Sequence, residues 1–362
     1  EWISDAAAAA STPTKRDRKL PAPFMVWLVI AMSVYRTLSI KNVLQRLGRV
    51  VGMPPLWSDG EVPTSTSVSE ARDRLGFGAV YALMARLHHW LIETYRDAMS
   101  WKGWLVLALD GTTFKMPDTA ENRRWFGLPG TSRGGRAAFP QMRAVFLVST
   151  QLRFILRACF APYRQGELTL AWNMIDSLPE RSLLVLDRYY LAWRFLLTVE
   201  GKGHQFLLRV RKKVRSTRIK RFGKGDYLVT VQLPRQLRRD HPELPHVVFL
   251  RELTTQIRGR WYRYFTTLSD PQQYPARELI ALYARRWEVE TSIDEVKTHQ
   301  CAATTVNRPV IFRSKRYRRV LQEAYALVIA YNVIRVIMTQ AAATVSITPL
   351  RLSFVDSVEH IR

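Results

Sequence analysis

Residues 104–111 read WLVLALDG and residues 182–190 read SLLVLDRYY. Each is an unbroken apolar run that ends on an aspartate, Asp110 in the first and Asp187 in the second. Apolar runs without polar alternation predict strands of a sheet covered on both faces. A carboxylate at the end of such a strand is costly to bury unless it is paired or binds a cation. Oxygen ligands of this kind suit Mg²⁺, which takes one or two protein carboxylates together with water and substrate phosphate. Read alone, either aspartate could equally begin a loop after its strand.

Between the two runs, Ala144–Thr150 and Gln151–Phe160 are β-rich and predict a hairpin, and Leu168–Leu178 reads as a helix. Upstream, Phe24–Tyr35 and Leu38–Leu47 carry apolar residues at helical spacing. Ser67 and Glu70 have the spacing of a capping box for a helix running through Leu91. Residues 20–100 therefore read as an all-helical N-terminal domain with arginines available on its outer faces, behind a flexible basic lead-in over 1–19. Downstream, short strands separated by Gly and Pro fill 201–270 and predict a β-rich insertion. It is dense in cations, Arg211, Lys212 and Lys213 among them, and its end interleaves Trp261, Tyr262 and Tyr264 with arginines. Residues 271–340 return to helices, one from about Pro275 to Thr298 and one from about Ser314 to Met338. The tail, 341–362, has no evident feature.

The chain has 362 residues, 55 Lys and Arg against 30 Asp and Glu, and a net charge of +25. That bias favours a polyanionic partner, because bound cations release condensed counterions from phosphates. Eleven tryptophans and 47% apolar residues exclude a disordered basic tail. The two cysteines, Cys159 and Cys301, form no zinc-finger pattern and fit a reducing cytosol. The longest apolar run, Phe24–Met32, is far short of the roughly 20 residues a membrane span needs, so no membrane partner is expected. The opening Glu1-Trp2-Ile3 without an initiator Met reads as a fragment missing its true start. His88 and His89 read as surface, Trp125, Trp172 and Trp287 as core, and Asp118 as a cap for the loop after Asp110.

The helix from 275 carries Tyr283, Arg286, Glu290 and Lys297 at offsets of three, four and seven residues, which lines them along one face. Such a stripe offers a third carboxylate between groups able to grip phosphate, Arg bidentately and Lys as a point charge. A solvated face laced by an Arg286–Glu290 pair is the blander alternative.

Taken together, these blocks resemble the insertion-sequence-4 family of transposases. YARRWEVETSIDEVK (283–297) matches that family's YxxRxxxExxxxxxK signature, whose Glu is the third member of an Asp-Asp-Glu triad. LALDGTTFKMPDTAENRRWFG (107–127) is similar to the first-Asp block and GGRAAFPQMRAVFLV (134–148) to the one after it. LLVLDRYYLAWRF (183–195) is similar to the second-Asp block, with Tyr189 where Gly or Asn is usual. TKRDRKLPAPFMVWLVIAMSVYR (14–36) is similar to the N-terminal helical region.

The resemblance implies an α/β fold: an RNase H-like mixed-sheet catalytic core split by a β-rich insertion and preceded by an all-helical domain. It implies that Asp110, Asp187 and Glu290 are catalytic and hold two Mg²⁺ ions, with Mn²⁺ able to substitute. Tyr283, Arg286 and Lys297 would grip phosphates, and Trp261 would stack on an unpaired base. The implied partners are double-stranded DNA, both terminal inverted repeats and target DNA, and a second copy of the chain in the synaptic complex. The implied location is the bacterial cytoplasm, associated with the nucleoid. Alternatives are an RNase H-like nuclease, an inactive transposase-derived DNA-binding protein, and a basic regulator without catalysis.

Overall fold

The computed structural model describes residues 1–10, 19–51, 63–130, 135–211, 213–300 and 311–362. The N-terminal third is helical: α1 (Trp2–Ala10), α2 (Ala22–Val34), α3 (Ile40–Val51), α4 (Ser65–Leu75) and α5 (Gly78–Tyr95). The first half of the expected flexible lead-in is thus an ordered helix. Trp2 sets its ring edge-on against Trp90 at 6.0 Å, and Asp5 pairs with Arg86 at 2.6 Å. The expected helix from Ser67 to Leu91 is two helices. Thr64, not Ser67, caps the first by accepting from the Ser67 N–H, and Gly76 ends it at φ +62°, a left-handed backbone that glycine adopts without cost.

The catalytic portion follows, with β1 (Ser100–Trp101), β2 (Trp104–Lys115), α6 (Ala120–Phe126), β3 (Gln141–Ser149), β4 (Ile155–Pro162), α7 (Glu167–Trp172), β5 (Ser182–Leu186), α8 (Trp193–Gly201) and β6 (Gln205–Arg209). Strands β4, β3 and β2 pair antiparallel, β5 lies parallel to β2, and β6 lies parallel to β5. Three antiparallel strands followed by two parallel ones, in the order β4-β3-β2-β5-β6, is the RNase H-like arrangement. The apolar runs are buried on both faces, as their lack of alternation required.

The insertion comprises β7 (Thr217–Gly223), β8 (Asp226–Gln232), α9 (Arg235–Asp240), β9 (Val247–Ile257) and β10 (Arg260–Thr266). It differs from the sequence reading in two respects. Strand β6, assigned there to the insertion, is the fifth core strand. In addition, β10 pairs with β6, so the insertion continues the core sheet as β10-β9-β8-β7. Arg251 of β9 is fully buried, bonded to Asp226 of β8 and to the carbonyl of Tyr274 at 2.7 Å.

The expected single helix 275–298 is broken into α10 (Ala276–Ala284), α11 (Trp287–Asp294) and a wide π turn, Glu295–His299. At the break the N–H groups of Arg285, Arg286, Glu288 and Val289 reach three residues back instead of four, which tightens the chain and resets the axis. The π turn forms where Glu295 is buried and held from other elements by Arg153 and Arg335. Finally α12 (Tyr317–Thr344) and α13 (Phe354–Ile361) close the fold. The tail is not featureless: Phe354 packs on Tyr331 and the Arg362 carbonyl accepts from Tyr35.

Two buried clusters make up the core. In the smaller, Leu279, Leu282 and Tyr283 of α10 cover Val106, Leu183 and Val185. The larger gathers the N-terminal helices, α7 and α12 on the strands of the sheet. Helix α12 is long and apolar enough to cross a membrane by length and composition, but it is a core helix. Its Asn332 side chain bonds both the N–H and the C=O of Ile155 in β4, and its Gln322 bonds the carbonyls of Arg72 and Gly76.

Candidate active site

Ala108 of β2 is the register partner of Val185 of β5. Asp110 and Asp187 each lie two residues further on. Side chains two apart on a strand share a face, and neighbouring strands lie roughly 4.8 Å apart. The two aspartates therefore stand side by side on the face covered by α10, Asp187 just past the end of β5 and Asp110 within β2, which runs on to Lys115. Asp187 is the first residue beyond its strand, and its Oδ1 accepts from the Tyr189 N–H at 2.6 Å. That bond starts the turn 188–190 and tucks Tyr190 into the core.

Asp110 accepts from the Gly111 N–H at 2.8 Å. Burial pushes its carboxyl up to about 6; the Gly111 bond and then the Arg286 charge oppose this, while Glu290 and Glu167 add to it. The same interactions show which groups surround Asp110: Arg286 and Glu290 from the α10–α11 region, and Glu167 from α7. Glu290 is partly exposed and forms an ion pair with Arg286. Arg286 is itself buried, which alone would lower its pKa, but its bond to Glu290 together with Tyr283 and the charges of Glu290 and Asp110 holds it above the usual value.

Tyr283 is buried against Tyr264, ring centroids 4.6 Å apart. Burial holds its phenol well above the usual range, so it stays a neutral hydrogen-bond donor. Lys297 is carried by the π turn to β2, where its Nζ donates to Thr112 Oγ1 at 3.0 Å. Thr112 is two residues past Asp110 and shares its face. Burial, and then the nearby Lys115, lower the Lys297 pKa. The stripe of the sequence reading is thus rearranged: Tyr283 is in the core, Arg286 and Glu290 form a pair, and Lys297 reaches the first-Asp strand separately.

The donor chemistry fits a divalent cation. Asp110 is a half-buried carboxylate, and further carboxylates lie in its neighbourhood. Among the described residues, however, no three carboxylate, His or Cys side chains stand close enough to cage an ion, and Glu290 is engaged by Arg286 instead.

Trp261 is 62% exposed. With Arg188, Arg209, Arg211 and Tyr262 it lines a cleft of about 350 Å³ that joins the insertion to the turn after Asp187. Arg263, by contrast, is committed to Glu252 and Ser216. Lys213 is exposed near this cleft's strand; Lys212 and Cys301 lie outside the described residues.

Several lesser readings need correction. His88 is fully buried in α5, not at the surface, because the apolar face of that helix is wide; burial pushes its pKa down to about 3. Trp125 and Trp287 are exposed instead of core. Trp125 stacks on Tyr317 at 3.9 Å, and Trp287 carries the Arg286 guanidinium over its ring at 5.3 Å. The cap after Asp110 is Thr119, which accepts from the Asn122 N–H, whereas Asp118 pairs with Arg123. Sequence reasoning passed over Glu167 altogether. Its signal was Gly111, a glycine inside a strand, which often marks the close approach of another group.

Comparison with known proteins agrees with this arrangement. Residues 101–333 match the family model described as "Transposase DDE domain", and residues 1–85 match "Insertion element 4 transposase N-terminal". The chain is 29% identical over 361 residues to "Transposase InsG for insertion sequence element IS4" of Escherichia coli K12, covering 99% of this chain and 79% of that one. It is 30% identical over 233 residues to "Putative transposase InsZ" of the same organism, covering 60% of this chain and 71% of that one. A piggyBac transposase synaptic complex with hairpin DNA superposes with a TM-score of 0.46 at 9% identity, covering 99% of this chain and 75% of that structure. With a DDE-domain match over well over half its length and the matching N-terminal region before it, the chain belongs to the insertion-sequence-4 family of DDE transposases.

Proposed function

We propose that this protein cuts the ends of its own insertion element and joins them to target DNA, with Asp110, Asp187 and Glu290 as the catalytic carboxylates. The observation that carries the reading is the side-by-side placement of Asp110 and Asp187 on the adjacent parallel strands β2 and β5. The three carboxylates would hold Mg²⁺ or Mn²⁺. Bound there, such ions sharpen the nucleophilicity of water or a DNA 3′-hydroxyl and stabilise the leaving oxygen.

The chain's own residues position the DNA. Lys297 places a positive charge beside Thr112, near the strand that bears Asp110. Arg286 sits within the field of Asp110 and holds Glu290; bound phosphate or cation would compete for that pair. Trp261 and the arginines of its cleft offer a ring for an unpaired base and charge for the backbone beside it. No covalent protein–DNA bond is needed, and no side chain is assigned as a nucleophile.

The test is incubation of the purified chain with duplex DNA carrying the element's ends, with and without Mg²⁺. Nicking at the ends followed by joining to a second DNA supports a transposase. Nicking without joining would make it a nuclease, and binding without nicking a DNA-binding protein.

A further inference from the structure

Gly111 follows Asp110 in β2, and the space its side chain would fill is taken. A Cβ built there would lie 2.3 Å from Cδ and 2.6 Å from Oε1 of Glu167. No such approach is possible for any residue but glycine. The carboxylate of Glu167 is therefore laid flat against the strand one residue from Asp110.

Glu167 is not there by default. It opens α7, on the crossover between β4 and β5, and its side chain is about four-fifths buried. Arg143, on β3 beside β2, fixes it by donating to Oε1 at 3.1 Å. Arg143 is in turn held over the Tyr163 ring at 5.0 Å. The second oxygen, Oε2, has no bond of its own among the described contacts. The hydroxyl of Tyr190, a residue 1% exposed, is also without a hydrogen-bond partner. Burial first, and then the nearby charges of Glu167, Asp110 and Asp187, hold its phenol well above the usual range. A buried hydroxyl without a partner, together with a carboxylate admitted beside Asp110 by a missing side chain, marks a place open to a bound species.

We propose that Glu167 is a fourth carboxylate of the catalytic site, held by Arg143 and admitted by Gly111 so that it shares with Asp110 the binding of a divalent cation. This rests on the reading that Asp110 is a metal-holding residue. It also accounts for the sequence Asp-Gly at 110–111: the glycine is the seat of the added carboxylate. The role of Arg143 is positional, since a guanidinium cannot ligate a cation.

The test is Mn²⁺ binding to the full chain by isothermal calorimetry, without DNA, for the parent protein and for Asp110→Asn, Glu167→Gln and Gly111→Ala. Circular dichroism and metal-free melting establish that each variant is folded. Glu167→Gln keeps the shape and removes the charge, and it should weaken Mn²⁺ binding by roughly 10–100-fold, the range for loss of a group that supports a metal. Gly111→Ala, if folded, should give a similar loss with every carboxylate still present. Weakening by Asp110→Asn but not by Glu167→Gln would overturn the role of Glu167 and leave the reading of Asp110 intact. No weakening by either would overturn both.

Discussion

Asp110 and Asp187 each stand two residues beyond Ala108 and Val185, which pair across the adjacent parallel strands β2 and β5. Seventy-seven residues of chain separate them (187−110), yet one strand spacing separates their positions in the sheet. The remaining site groups are placed around that pair by tertiary contacts, and each contact gives a measurable expectation.

The carboxyl of Asp110 titrates near 6 because burial disfavours its charge. Its unfolded value is near 3.9. Between those values the folded chain holds a proton that the unfolded chain has lost, so stability falls as pH rises from about 4 to 6 and the penalty is complete above about 7. Asp110→Asn, without metal, should therefore raise the thermal midpoint at pH 8 and leave it nearly unchanged at pH 3.5. A midpoint lowered at pH 8 would mean that Asp110 stabilises the metal-free fold.

Lys297 reaches Thr112 only because the chain widens at Glu295–His299. If its ammonium contacts a single phosphate, Lys297→Ala should reduce the slope of log binding constant against log salt by about one, without changing the fold. An unchanged slope with full cleavage would return Lys297 to a structural role with Thr112.

Glu295, Arg335, Arg153 and Tyr331 form a buried network behind the same turn. Arg335 is fully buried, Arg153 donates to Glu295 at 2.8 Å, and the Tyr331 hydroxyl donates to Glu295 at 2.9 Å. Removing one member leaves the opposite charge buried and unpaired. Glu295→Ala should cost about 3–5 kcal/mol in denaturant unfolding. A loss below about 1 kcal/mol, the scale of an exposed pair, would show that water enters and replaces the carboxylate.

Trp261 presents its ring in a cleft with Arg188, Arg209 and Arg211. If it stacks on a base released from the duplex, Trp261→Ala should spare the first nick and slow second-strand processing. The slowing should correspond to roughly 1–3 kcal/mol of lost stacking. Loss of the first nick as well, or no effect on either step, would remove Trp261 from the reaction.

Strands β2 and β5 were legible because WLVLALD and SLLVLD carry their burial in their composition. The hairpin of β3 and β4 was legible for the same reason. The break at Arg285–Arg286 was not, because apolar spacing runs through it unbroken. The break belongs to Tyr283 packing on Tyr264 and to Arg286 pairing with Glu290, not to a local breaker residue. The π turn depends on Arg335, 40 residues beyond Glu295, a distance no window of sequence spans. Strand β6 read as part of the insertion because its sequence resembles its neighbours; only pairing with β5 makes it a core strand. Glu167 went unread because its meaning lies in the empty side of Gly111.

The central claim is that Asp110, Asp187 and Glu290 act together on DNA. The most direct measurement is Mg²⁺-dependent cleavage of a labelled duplex carrying the element's ends, made beside a binding assay on the same DNA, for Asp110→Asn, Asp187→Asn and Glu290→Gln. The account predicts that each variant binds the ends about as the parent does and cuts none of them. A variant that still cuts at the parent rate would contradict the assignment of that carboxylate.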